Sequence, residues 1–227
     1  MTRFRLLLVL VQLFLSAGLA PWFAEAAVSH CADSRVSVIH AGPPVAEAVC
    51  AAVGDALGFM AAHGFETDLA FLVEVVEEPG VPRTFGSYDR RGIRIEVLSP
   101  AACRRRGGGR LFGLELDPAL YRSIIVHEVA HLVARFNGED ALHDVAGQEY
   151  IAFTVQLGTL PPPLLERVLS RFDQPPFARE AEITALLHAL GPEVFAVKAW
   201  RHFRQPGHGA AFYRHLLTRS PGLRPVP

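Results

Sequence analysis

The sequence predicts an α+β fold, and three observations carry that expectation. The amino-terminal half mixes one amphipathic segment of helix length with apolar runs of strand length. The carboxy-terminal half repeats helical spacing almost to its end, and a long helical segment bearing two histidines joins the halves. The expected architecture is a small sheet lobe packed on helices, a central histidine helix and a helical carboxy-terminal lobe.

The elements follow in chain order. Arg3 and Arg5 precede an apolar stretch, Leu6 to Leu15, broken by Gln12, and Ala24-Glu25-Ala26 offers small residues for cleavage before Ala27. That is the layout of a cleavable export signal over residues 1–26, because about ten apolar residues are too few to span a bilayer. A periplasmic or secreted protein is expected. No stable membrane span is expected after cleavage, since no later segment reads as long and apolar enough.

Pro44 to His63 predicts a helix, with Val45, Val49, Ala52, Val53, Ala56, Leu57 and Met60 on one face. Leu69 to Val76 is an apolar run of strand length. Ile93-Arg94-Ile95-Glu96-Val97 alternates, which buries one face of a strand and wets the other. Cys103 to Arg110 concentrates arginines and glycines and predicts a mobile loop whose charges could attract an anionic polymer or acidic substrate. Further helices are expected at Pro161 to Phe172, Ala178 to Leu190, Pro192 to Phe203 and Gly209 to Thr218, with a frayed tail over 221–227.

The chain has 227 residues, and loss of the signal leaves enough for a single domain over 27–220, with a sheet lobe at about 28–136 and a helical lobe at about 137–220. A formal net charge of −1 gives no electrostatic case for nucleic acid. Cys31, Cys50 and Cys103 allow one disulfide in an oxidising compartment, in any of the possible pairings, and no CxxC spacing points to a cysteine-held metal. Nothing in the sequence sets an oligomeric state.

The chemistry centres on His127-Glu128-Val129-Ala130-His131, an HExxH pattern. Asp117-Pro118 supplies a helix start, a side-chain cap followed by a residue with φ already set, and Asn137-Gly138 supplies a stop, so Pro118 to Phe136 predicts one helix. Positions four apart return to nearly the same helix face, so both imidazoles can hold one metal ion. Glu128 projects about 100° round from His127, where a carboxylate can act as general base toward a water at that ion. Leaving Glu128 unpaired in an otherwise apolar helix would cost several kcal/mol, on the order of the penalty for a buried charge, which favours a wet functional cavity over two core histidines.

A catalytic zinc needs a third protein ligand and keeps its fourth position open. Asn137 stands where an extended pattern would place a third histidine. Glu139, Asp140, His143 and Asp144 follow in a polar loop, and Glu149 lies in the early turns of a second helix expected from Asp144 to Leu157. A loop of about ten residues lets that helix fold back and bring Glu149 over the histidines. Glu149 is the first choice for the third ligand, with His143 or Asp144 as substitutes.

HExxH on one helix with a glutamate on the next resembles the gluzincin group of zinc metallopeptidases, over about 25 residues. The resemblance implies a zincin-like fold, one zinc ion held by His127, His131 and Glu149, Glu128 as general base, and a peptide or protein substrate. Gly86-Ser87-Tyr88-Asp89, His127 to His131, and Gln148-Glu149-Tyr150-Ile151-Ala152 are also similar to segments of an uncharacterised family of exported bacterial proteins. The Gly-x-Met-Glu-Asn type segment that reads a peptide amino terminus is missing here, so aminopeptidase specificity is not implied. Enzymes of this build lay substrate along an edge strand, for which 93–97 is the candidate. They often use a histidine or tyrosine of the helical lobe to stabilise the oxyanion, for which His202, His208, Tyr213, His215 and Tyr150 are candidates. The competing class is a non-catalytic envelope-binding module stabilised by zinc, marked by a fourth protein ligand such as His143.

Overall fold

The structure is a computed structural model that describes residues 27–32, 35–40, 42–78, 80, 84–89, 93–138 and 144–218. The expected export signal, the loop residues Glu139, Asp140 and His143, and the tail lie outside them.

The chain begins with strands β1 (Ala27–His30) and β2 (Arg35–His40), followed by helix α1 (Pro43–Ala62) and strand β3 (Ala70–Val76). Strands β4 (Gly86–Tyr88) and β5 (Arg94–Leu98) complete a mixed sheet in the order β1-β2-β3-β5-β4. The three central strands run parallel, and the strands at both ends are antiparallel to their neighbours. The register places Val36 and Val38 beside Phe71 and Val73, then Ile95 and Val97, then Tyr88 and Gly86, so one sheet face is a continuous apolar layer. The other face is mixed: Arg94 is paired to both Glu74 and Glu96, beside half-buried Ile39 and Leu72 and buried Leu98. Period-two alternation in each strand is the origin of this division.

The apolar layer is covered by α1 and by α3 (Pro118–Asn137). Helix α1 begins one residue before the expected start and buries Val49, Ala52, Val53, Ala56 and Met60. It is, contrary to expectation, long and apolar enough by length and composition to cross a membrane. Its buried face belongs to the same core as the sheet and α3. Helix α3 starts where Asp117 Oδ1 accepts from the Leu120 N–H at 2.8 Å, with Pro118 in the first turn. It ends at Asn137, whose side chain donates to the carbonyls of Glu66 and Val133. A disulfide joins Cys31 to Cys50, tying the β1–β2 hairpin to α1. Cys103 is the buried free thiol, and burial pushes it up to about 12, out of reach of thiolate chemistry at neutral pH.

Helix α4 (Val145–Gly158) is apolar on nearly every side and lies in the middle of the helical lobe. It runs antiparallel to α3, because His131 faces Glu149 while His127 faces Gln156. Around it stand α5 (Pro162–Leu169), α6 (Ala185–Leu190), α7 (Pro192–Phe203) and α8 (Ala210–Thr218).

Three expectations are corrected. The alternating segment expected at 93–97 is β5, which is paired on both sides; the edge strand is β4, the short Gly86–Tyr88 segment. The arginine segment is not a loop throughout. It forms α2 (Pro100–Arg105) and a single 3-10 turn before the hairpin strands β6 (Arg110–Leu111) and β7 (Leu114–Glu115). Ser99 caps α2 by accepting from Ala102 N–H, Arg105 pairs with Glu77 at 2.8 Å, and Arg106 donates to the Thr84 carbonyl at 2.8 Å. The helix expected over 178–190 is broken into a 3-10 turn (Glu180–Glu182) and α6, because Thr184 turns its hydroxyl to the Leu187 N–H and caps a new helix.

Candidate metal centre

Among the described residues, one group of metal-binding side chains converges closely enough to hold an ion: His127, His131 and Glu149, with donor atoms all within 4.8 Å of one another. The Nε2 atoms of the two histidines stand 3.0 Å apart. Glu149 Oε2 lies 3.4 Å from His127 Nε2, and Oε1 lies 3.7 Å from His131 Nε2. Nitrogen and oxygen donors about 2.0–2.1 Å from one tetrahedral ion stand about 3.3 Å apart. The histidine nitrogens and the nearest carboxylate oxygens approach that spacing, so the donor set suits a small divalent cation.

The histidines are held by groups behind them. His127 Nδ1–H donates to Gln156 Oε1 at 3.1 Å, Gln156 Nε2 donates to Ser123 Oγ at 3.1 Å, and Ser123 Oγ donates to the Leu120 carbonyl at 2.8 Å. That directed chain fixes the amide orientation of Gln156 and keeps a proton on Nδ1, which leaves the Nε2 lone pair for the ion. His131 has Gln148 on one side and the Tyr88 ring stacked on it at 5.6 Å. Helix α4 therefore supplies Glu149 to the converging group, a hydrogen-bond partner for His127, and Gln148 beside His131.

Charge follows the same geometry. Burial pushes the Glu128 carboxyl up to about 7, against the pull of His127 and with the help of Glu149. Burial also works to raise Glu149, but the charges of His131 and His127 outweigh it and hold the carboxyl down at about 2. Burial lowers His131 to about 4. On His127 burial is outweighed by the hydrogen bond and charge of Glu149, and its pKa rises.

Glu128 lies in the same cleft, on the side of β4. A Cβ at Gly86 would sit 2.6 Å from Glu128 Cγ and 3.0 Å from its Oε1, so only glycine lets the edge strand pass this close to the carboxylate. The strand alternation then sets Tyr88 over His131 while Gly86 covers Glu128. Phe85 O and Asp89 N bond to β5, so the intervening Gly86 and Tyr88 backbones face the open edge.

The cleft holds about 800 Å³. Its far wall is the β6–β7 hairpin, whose turn has Phe112 at φ 53° and Gly113 at φ 67°, the pair of left-handed residues a two-residue hairpin needs. A left-handed phenylalanine costs about 1–2 kcal/mol. Its ring is fully buried and its N–H is bonded to the Glu193 carboxylate at the start of α7, which holds the turn in place.

The sequence-chosen residues His127, Glu128, His131 and Glu149 all line this cleft. His143 lies outside the described residues, and Asp144 is the residue before α4 rather than a member of the converging group. None of the oxyanion candidates lines the cleft. Tyr150 Oη is bonded to His202 Nδ1 at 2.7 Å, His208 stacks on His202, Tyr213 Oη is bonded to Thr154, and His215 pairs with Glu180. The residue that sequence reasoning missed is His188, which lines the cleft with Nε2 3.5 Å from Glu149 Oε2. Its position near the end of a short helix far along the chain gave no spacing signal.

No curated protein and no solved structure matches the chain. Residues 36–222, most of its length, match a family of unknown function, DUF6639, and the chain belongs to that family.

Proposed function

We propose that this protein is an exported zinc metallopeptidase that hydrolyses peptide bonds in the bacterial envelope or outside the cell. The observation that carries the reading is the convergence of His127, His131 and Glu149 in an open cleft that also contains the buried carboxyl of Glu128. Two neutral nitrogens and one carboxylate are the donor set that suits zinc in a hydrolase. The Cys31–Cys50 disulfide is compatible with an oxidising compartment, in keeping with the export signal read from the sequence.

When bound, zinc supplies a Lewis acid for the scissile carbonyl and acidifies a water. The chain's own groups do the rest. The open edge of β4 holds the peptide extended through the backbone groups of Gly86 and Tyr88. Glu128 takes the proton from water as its oxygen bonds to the carbonyl carbon, then passes that proton to the amide nitrogen as the C–N bond breaks. A carboxyl poised near neutral pH suits both transfers.

The test is purified mature protein, assayed for bound zinc and for cleavage of an unbiased peptide library, beside Glu128→Gln. Zinc retained by both proteins and cleavage by the wild type alone is the expected result. Equal behaviour of the two toward peptides overturns it.

A further inference from the structure

His127 is held from behind by Gln156 of α4, and Glu149 has no such partner on its own helix. Among the described residues the imidazoles within 4 Å of the Glu149 carboxylate are those of His127, His131 and His188. The first two are its fellow ligands, which leaves His188 as its outer partner. His188 reaches it from α6, a six-residue helix with no buried residue, whose Leu186 and Leu190 are 68% and 78% exposed. The imidazole is set between Phe153 at 5.8 Å and Phe195 at 5.7 Å, so its direction is fixed by packing even though its helix is thinly attached.

The terminal torsion of a glutamate is soft, and a carboxylate held only by an ion can rotate or swing off it. A donor on one carboxylate oxygen restricts that freedom before the ion arrives. We propose that His188 is a positioning residue for the metal ligand Glu149: it donates from Nε2 to Oε2, does for Glu149 what Gln156 does for His127, and ties α6 to the metal centre. It is neither a fourth ligand nor a group that acts on the substrate. The inference rests on the metal centre of the proposed function, and its test separates the two.

Zinc affinity of the mature chain is measured by competition with a chromophoric chelator for the wild type, His188→Ala and His188→Gln, with circular dichroism to show that each is folded. The absorption bands of the cobalt-substituted proteins report the donor set. The expected result is about 10–100-fold weaker zinc binding in the alanine variant, partial recovery with glutamine, whose amide N–H can still donate, and cobalt bands of unchanged shape. Equal affinities in wild type and alanine variant overturn the inference, as does a cobalt spectrum that reports a lost ligand, or a fall in kcat with zinc affinity intact. If the wild type itself binds no zinc, the metal centre fails and the inference fails with it; if the wild type binds and the alanine variant binds equally well, the inference alone is lost.

Discussion

Two histidine clusters stand on opposite sides of α4, and they use the same residue types to opposite ends. On one side, His127 and His131 turn their Nε2 atoms toward each other and toward Glu149, in a cleft. On the other, His202 and His208 stack at 4.0 Å, and Tyr150, Thr154 and Tyr213 absorb the polar atoms of the helical lobe in hydrogen bonds. Among the described residues no carboxylate pairs with His202 or His208, and burial, reinforced by His208 and opposed by Glu182, lowers His202 to about 4. The difference teaches what makes a metal centre out of histidines: lone pairs aimed at one point, a carboxylate to balance the cation, and an opening. Where these are missing the same rings are packing material.

The contrast can be broken at several points. The largest effect expected is at Glu128→Gln, which keeps the three donors but removes the base; peptide cleavage should fall by about 10²–10⁴-fold, with zinc content unchanged by atomic absorption. Removing a donor should act on stability instead. With free zinc at about a thousand times its dissociation constant, the wild type should gain about 4 kcal/mol against urea, whereas His127→Ala and Glu149→Ala should gain little. Gln156→Leu removes the acceptor behind His127 while filling similar space, and should weaken zinc binding by about 10–100-fold, as read by chelator competition. The smallest effect belongs to the other cluster. His202→Ala leaves the buried Tyr150 hydroxyl without its partner and should cost about 1–3 kcal/mol of stability, with zinc affinity the same as wild type. A loss of zinc binding in that variant would erase the distinction between the clusters.

Much of the centre was legible in the sequence because it rests on local rules. Asp117-Pro118 and Asn137 bound α3, helical spacing puts His127 and His131 on one face, and the return of α4 brings Glu149 to them. What escaped depended on tertiary partners. Strand β4 is three residues long and has no pattern of its own; it becomes the wall of the cleft only because β5 pairs with it and Glu128 leaves room for Gly86. The alternating β5 was the candidate edge from the resemblance alone; the structure pairs it on both sides, and its Arg94 bridges Glu96 to Glu74 of the neighbouring strand. Ser99-Pro100 was a helix start hidden beside a run of arginines and glycines, and Thr184 was a cap inside what read as one helix. Strand β2 did carry a signal, the alternation of Val36 and Val38 with Ser37 between them. His188 had none, since its role depends on how α6 is carried back across the lobe.

The most direct measurement is anomalous diffraction at the zinc edge from crystals of the mature protein. A single peak about 2.0–2.2 Å from Nε2 of His127, Nε2 of His131 and a carboxylate oxygen of Glu149, with Glu128 beside it and not bonded to it, is the result expected. A peak elsewhere, or one closed by a fourth protein ligand, would contradict a catalytic centre at this site.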